Sequence, residues 1–318
     1  MPKPVLFITR RLPGAVEALA AETFEARLTR SDTPIGDLIG PSQGADAVLC
    51  CPGDMMTAEV IGALPRSVKV IGTFSVGYDH IDLETARARG IAVCNTPDVL
   101  SVATAECAML LLMAAARRAG EGERLVRSGR WDGWAPTQLL GTQVSGRSLG
   151  IFGMGRIGRE LARMARGFGM TIHYRDMVRL PPELEQGATF HDNDDSFLPE
   201  CQFLSLNAPG GEGTRYWLNA GRIAKLPRGA VVANAARGTL IDDDALIAAL
   251  RSGQVAAAGL DVYNNEPHLN PGYLTLENVV LLPHLGSATT ETRDAMGRLV
   301  LAGIRAVLAG ETPANLVR

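Results

Sequence analysis

The chain has 318 residues, 46% hydrophobic and 20% charged, the make-up of a globular protein long enough for two domains of ordinary size. A formal net charge of -3 supplies no basic field to hold nucleic acid or an anionic membrane. The five cysteines show no CxxC and no His/Cys spacing suited to zinc, so reduced core thiols and no metal are expected.

The N-terminal run Met1-Pro-Lys-Pro-Val-Leu-Phe-Ile-Thr9 opens directly on a strand. It lacks a charged head, a long apolar core and a small-residue cleavage site, so a cytoplasmic location is expected. Apolar runs predict strands at Val5–Thr9, Ala47–Cys51, Val68–Thr73 and Ile91–Asn95, with helical patterns over Ala15–Thr23 and Leu83–Arg89. A helix over Thr104–Arg118 follows, and its apolar core, Cys107–Ala116, is too short to span a bilayer. Further strands are predicted at Leu149–Phe152, Thr171–Tyr174, Phe203–Asn207, Ala230–Asn234, Ala256–Asp261 and Val279–Pro283. Helical patterns over Arg159–Phe168, Asp243–Ser252 and Thr290–Leu308 complete the alternation. Continuous apolar strands between helices indicate α/β architecture with open parallel sheets.

The run Ser148-Leu-Gly-Ile-Phe-Gly-Met-Gly-Arg-Ile-Gly158 places the glycine pattern Gly153-x-Gly155-x-x-Gly158 between a strand and a helix. The first glycine permits a tight turn, the second lets a pyrophosphate approach the backbone, and the third packs helix on strand. Asp176 follows the next strand, roughly 20 residues on, where a carboxylate bonds ribose hydroxyls. These features mark a dinucleotide site. Because the glycine loop is central, the first ~100 residues form a separate α/β unit of ordinary domain size. The terminal helix most simply returns to that unit. The expected fold is therefore two Rossmann-like, doubly wound parallel-sheet domains, with the cofactor domain (99–283) inserted in a discontinuous substrate domain (1–98 and 284–318). Two crossings, near Thr96-Pro97 and Pro283-His284, would form a hinge beside a cleft.

Three ionisable residues follow strands downstream of the loop: Arg237, Glu266 and His284. Ligands of open α/β sheets bind outside the carboxyl ends of strands, so these side chains can converge. Arginine offers a planar fork for a carboxylate. Histidine gives or takes one proton near neutral pH, and a neighbouring carboxylate favours its charged form and fixes its orientation. Beside a nicotinamide, that set suits the reduction of a 2-oxo acid.

The runs Asn234-Ala-Ala-Arg-Gly-Thr-Leu-Ile-Asp242, Ala258-Gly-Leu-Asp-Val-Tyr-Asn-Asn-Glu-Pro267 and Leu282-Pro-His-Leu-Gly-Ser-Ala-Thr-Thr290 resemble the D-isomer-specific 2-hydroxyacid dehydrogenase family. So do Gly77-Tyr-Asp-His-Ile-Asp82, the Thr104 helix and the glycine loop, and the nearest likeness is to the glyoxylate/hydroxypyruvate reductases. The resemblance implies that Arg237 holds the substrate carboxylate and carbonyl, that His284 is the acid/base, and that Glu266 supports the histidine. It implies that the loop of Val76 and Gly77 receives the substrate carboxylate. Thr104, Arg156, Ile157, Ala235, Asp261 and Gly286 match cofactor contacts, with Arg237 and His284 at the nicotinamide end. A homodimer is also implied. The segment Leu206-Asn-Ala-Pro-Gly210 departs from the usual His/Pro-containing run.

The expected reaction is the NAD(P)H-dependent reduction of a small 2-oxo acid such as glyoxylate or hydroxypyruvate. Formate- or phosphite-type dehydrogenases of the same fold and a nucleotide-sensing corepressor scaffold are the alternatives. Leu285-Gly286-Ser287 after the histidine favours the hydroxyacid type over formate. Asp176 slightly favours NADH, since it would repel the extra phosphate of NADP; Arg175 or Arg179 can instead fold over that phosphate.

Overall fold

A computed structural model describes residues 2–317, so the outermost positions of the expected domain range, 1 and 318, lie outside the described residues. The chain divides into two compact units. One runs through Leu100 and resumes at Ala288, and the other is Ser101–Ser287. The divisions fall a few residues beyond the expected 98/99 and 283/284, so His284 belongs to the second unit.

In the first unit β1 (Val5–Ile8), β2 (Glu25–Leu28), β3 (Ala47–Cys50), β4 (Val70–Thr73) and β5 (Ala92–Cys94) form a wholly parallel sheet in the order β2-β1-β3-β4-β5. Every residue of β3 and β4 is buried, as continuous apolar strands covered on both faces must be. Helices α1 (Gly14–Thr23), α2 (Ala58–Ala63) and α3 (Leu83–Ala88) intervene. The helix Thr290–Leu308 completes this unit: a Cβ on Gly72 of β4 would lie 2.7 Å from Ile304 and Val300, so the glycine lets helix and sheet close up.

In the second unit α4 (Ser101–Ala116) and α5 (Ala119–Arg127) precede β6 (Ser148–Phe152), α6 (Arg156–Arg166) and β7 (Thr171–Arg175). Then come α7 (Pro182–Glu185), β8 (Thr189–His191), α8 (Asp194–Phe197), β9 (Phe203–Leu206), α9 (Ala220–Ile223), β10 (Ala230–Asn234), α10 (Asp243–Ser252), β11 (Val255–Leu260) and β12 (Val279–Leu281). The strands make a seven-stranded parallel sheet in the order β12-β11-β10-β9-β6-β7-β8. The apolar run of α4 is core: Ala105, Ala108, Leu111 and Leu112 are fully buried and pack in one cluster with Leu149, Ile151 and Val231. A Cβ on Gly259 would stand 2.7 Å from Leu111, so α4 lies tight against β11.

Strands β2 and β8 and the helices α2, α5, α7, α8 and α9 are not expected from the sequence. β2 and β8 are sheet edges, and β2 alternates exposed and half-buried positions, so it carries no apolar run to announce it. The predicted helix 104–118 begins at Ser101 and ends at Ala116, because Arg118 takes a left-handed φ of 53° and α5 starts anew. α5 holds two glycines and no buried residue; ion pairs Glu123–Arg127 and Arg124–Glu277 support it. All five cysteines are free and buried. No helix among the described residues is long and apolar enough to cross a membrane, and no group of His, Cys, Asp and Glu among them is arranged to hold a metal ion.

Candidate active site

Both halves of the site in the second unit sit at the carboxyl ends of its strands. At the end of β6, Gly153 turns with φ 95°, which L side chains rarely adopt. A Cβ on Gly153 would lie 2.5 Å from the Ala208 nitrogen, and one on Gly158 would lie 2.3 Å from the Gly153 oxygen. The protein's own packing requires both glycines. Gly155 differs, for a Cβ there would meet nothing within 4 Å. It caps α6, whose first turn is Arg156, Ile157 and Gly158, three residues earlier than the predicted start at Arg159. Amide N–H groups of a first helical turn have no partner within the helix and carry the positive end of its dipole. Open space at Gly155 in front of those donors fits a pyrophosphate. Gly155→Ala should therefore leave thermal unfolding unchanged while raising the dissociation constant for the nicotinamide dinucleotide. Gly158→Ala should lower Tm, by overpacking worth ~1–3 kcal/mol. Calorimetry and fluorescence titration separate the two effects.

Asp176 follows β7 and ties back to this loop. Its Oδ2 accepts from the Met154 N–H at 2.7 Å, and its Oδ1 accepts from the Met177 N–H at 2.7 Å. Each oxygen keeps a lone pair for a further donor. Arg175 donates to the Asp176 carbonyl and lies 3.7 Å from Asp194. Arg179 pairs with Glu185, which also accepts from Tyr174. Both arginines thus have carboxylate neighbours inside the protein.

The second half is built on the ends of β10, β11 and β12. Asn234, fully buried at the end of β10, bonds the turn that follows: its Nδ2 donates to the Arg237 carbonyl at 2.8 Å, and its Oδ1 accepts from the Ala236 N–H at 3.0 Å. The turn passes through buried Ala235 to Arg237, whose guanidinium donates to the Ala236 carbonyl. A Cβ on Gly238 would fall 1.9 Å from the Tyr263 carbonyl carbon, so only glycine lets this turn close on the 263–266 loop.

After β11, buried Asp261 clips the segment that carries the histidine. Its carboxylate accepts from the Leu285 and Gly286 N–H groups at 2.6 and 2.8 Å, and its carbonyl accepts from the His284 N–H at 2.9 Å. Burial pushes the Asp261 carboxyl up against these hydrogen bonds. Thr104, buried on α4, lies beside Gly286, and burial together with Asp261 pushes the nearby Cys107 thiol up to about 12. The Tyr263 hydroxyl shares its one proton between the Leu282 carbonyl at 2.7 Å and the Leu260 carbonyl at 3.0 Å, bridging the ends of β11 and β12.

Glu266 Oε1 accepts from the Tyr263 N–H at 2.9 Å, and Oε2 stands 2.8 Å from His284 Nδ1. Burial alone would raise the Glu266 carboxyl. The hydrogen bond and charge of His284, with Tyr263 and Arg237 behind them, outweigh it and hold the group below its usual range. The His284 side chain keeps 47% of its surface exposed, and its Nε2 has no hydrogen bond among the described residues. Arg237, Glu266 and His284 therefore form one cluster. Thr104, Asp261 and Gly286 form a second, and the glycine loop with Asp176 a third. Val76 and Gly77 belong to the first unit, on the loop after β4. Asn234, Tyr263 and Gly238 were not singled out from the sequence. Of these, Asn234 carried a readable signal, an Asx-turn former at a strand end. A cavity of about 350 Å³ lies among the amino ends of β10 and β11, lined by Arg118, Glu121, Val231 and Ala257 but by none of these residues.

The family model described as D-isomer specific 2-hydroxyacid dehydrogenase, NAD binding domain, matches residues 109–286. A glycerate dehydrogenase of Hyphomicrobium methylovorum is 44% identical over 315 residues, covering 98% of each chain. A glyoxylate reductase of Thermococcus onnurineus is 41% identical over 322 residues, covering 99% of this chain and 96% of that one. The crystal structure of an NADPH-dependent glyoxylate/hydroxypyruvate reductase from Sinorhizobium meliloti, in complex with NADP and malonate, superposes with a TM-score of 0.88. It is 31% identical and covers 99% of this chain and 97% of its own. This chain belongs to the D-isomer specific 2-hydroxyacid dehydrogenase family. It is an NAD(P)-dependent oxidoreductase acting on small 2-oxo acids and their 2-hydroxy counterparts.

Proposed function

We propose that the substrate is glyoxylate, hydroxypyruvate or a 2-oxo acid of similar size, and that Arg237, Glu266 and His284 carry the reaction. The observation behind this is the 2.8 Å contact of His284 Nδ1 with Glu266, beside an Nε2 that is left for substrate. The carboxylate keeps a proton on Nδ1, so the proton exchanged with substrate is the one on Nε2. When bound, the reduced nicotinamide supplies a hydride. With the carbonyl π pair displaced onto oxygen, His284 passes its Nε2 proton to that oxygen. Arg237 offsets the developing charge and orients the acid. In the first unit, the N–H groups at Val76 and Gly77 receive the substrate carboxylate. Nicotinamide absorbance with a panel of 2-oxo acids, formate and phosphite tests the reading. Turnover of formate or phosphite above every 2-oxo acid would overturn it. A homodimer and a cytoplasmic location complete the proposal.

For the cofactor we propose a preference for NADH. Asp176 stands at the end of β7, and Met177 beside it is 95% exposed and offers a phosphate no charge. Arg175 and Arg179 are engaged with Asp194 and Glu185. Asp176→Ala should shift the NADH-to-NADPH ratio of kcat/KM toward NADPH by about tenfold, the worth of about 1.4 kcal/mol. Wild-type preference for NADPH, unchanged by the substitution, would assign the choice to the arginines.

A further inference from the structure

A chain of side-chain hydrogen bonds in the first unit ends on the loop of Val76 and Gly77, and none of its members belongs to the proposed catalytic set. His80 Nε2 stands 3.0 Å from Thr73 Oγ1, which stands 2.7 Å from Ser75 Oγ, and Ser75 Oγ donates to the Gly77 carbonyl at 2.6 Å. Thr73 is fully buried and Ser75 nearly so. A hydroxyl has one proton. The Ser75 proton goes to Gly77, so Thr73 must donate to Ser75, and His80 must then donate from Nε2 to Thr73. The network thus has one direction, from the imidazole to the Gly77 carbonyl. Both the imidazolium and the Nε2–H neutral ring satisfy it.

The geometry has a consequence for the loop. In a trans peptide the C=O and N–H of one plane point opposite ways. Asn95 Nδ2 donates to the Val76 carbonyl at 2.8 Å, which aims the Gly77 N–H away from Asn95. The chain from His80 holds the next plane, which carries the Gly77 carbonyl and the Tyr78 N–H. No acceptor for the Val76, Gly77 or Tyr78 N–H is found among the described residues. Glycine turns freely about both φ and ψ unless its two flanking planes are held. Asn95 holds one, and the chain holds the other. At its far end His80 is fixed through its own backbone, whose carbonyl accepts from the Met56 N–H at 2.9 Å.

We infer that His80, acting through Thr73 and Ser75, is a positioning residue that holds the peptide plane after Gly77 while Asn95 holds the plane before it, and so keeps Gly77 from turning and the loop's N–H groups aimed at the substrate carboxylate. The inference rests on the proposed role of Val76 and Gly77. His80→Ala, Thr73→Val and Ser75→Ala should each raise KM for the 2-oxo acid about tenfold, on the scale of one lost hydrogen bond. Turnover at saturation and KM for the nicotinamide should change far less. The double variant Thr73→Val/His80→Ala should be no worse than the worse single, since one chain is broken either way. His80→Gln, which keeps an N–H donor at similar reach, should recover most of the lost affinity.

Amide NMR of protein labelled at glycine and valine distinguishes this inference from the reading beneath it. The probe is oxamate, a carboxylate with no reducible ketone. In wild type the Val76 and Gly77 amides should shift on titration, and in folded Ser75→Ala the Gly77 response should weaken. Equal responses in wild type and Ser75→Ala, or a KM unmoved in all three variants with Tm retained, would overturn the positioning role while leaving the carboxylate reading intact. Silent amides in wild type would remove the carboxylate reading itself, and the inference with it.

Discussion

His284→Ala should cut turnover on glyoxylate or hydroxypyruvate by 10²–10⁴-fold, the usual contribution of a positioned general acid. Binding of the dinucleotide should change little, because its pyrophosphate is expected at the open Gly155 cradle and the first turn of α6. Single-turnover absorbance and a cofactor titration measure the two separately. The substitution has a second readout. In wild type, burial works to raise the Glu266 carboxyl, and the His284 hydrogen bond and charge do most to hold it down. Without the ring, only the Tyr263 N–H and Arg237 oppose burial, so the carboxyl should rise. A carboxyl held low in the folded state adds stability above its unfolded pKa, and that stability is lost as pH falls through the folded value. The variant's deficit in Tm should therefore be present near neutral pH and close in acid. Near-normal reduction of hydroxypyruvate at neutral pH would show that the proton comes from another group.

Some of this was legible in the chain and some was not, for physical reasons. Strands buried on both faces, such as Ala230–Asn234, announce themselves as unbroken apolar runs, whereas the edge strands Glu25–Leu28 and Thr189–His191 carry no such run. The helix Ala119–Arg127 combines two glycines with ion pairs to partners as distant in sequence as Glu277, so neither periodicity nor propensity reveals it. Within the site, residues just past strand ends could be picked out one by one, since parallel sheets place their ligands there. The pairing of Glu266 with His284 was implied only by the family resemblance and not by position along the strands, because their 2.8 Å contact depends on how the 263–266 loop folds. The hold of Asn234 on the Arg237 turn is local, whereas Gly238 admitting Tyr263 and Tyr263 bridging two strand ends are tertiary relations. A sequence shows their residue types and not their partners.

Arg237→Lys should be nearly as damaging as Arg237→Ala, although it keeps the charge. The turn that presents Arg237 is held from behind by Asn234 and closes on Tyr263 through Gly238, so the backbone offers little freedom to bring a shorter, differently shaped head into register. A lysine ammonium is a compact point charge, whereas a guanidinium presents a planar fork that can bond a carboxylate and the neighbouring carbonyl oxygen together. Losing a donor aimed at developing oxyanion charge typically costs 10²–10³-fold in rate. The expected loss in kcat/KM for the lysine variant is thus on the order of 10²-fold or more, appearing in KM through the carboxylate and in kcat through the carbonyl oxygen. Charge near Glu266 would persist in the lysine variant and vanish in the alanine variant, so the pH dependence of the two should differ even where their rates at neutral pH are alike. Adding free guanidinium to Arg237→Ala should restore part of the rate, and adding a simple ammonium salt should not. A lysine variant with wild-type kinetics would remove Arg237 as the group that holds the substrate.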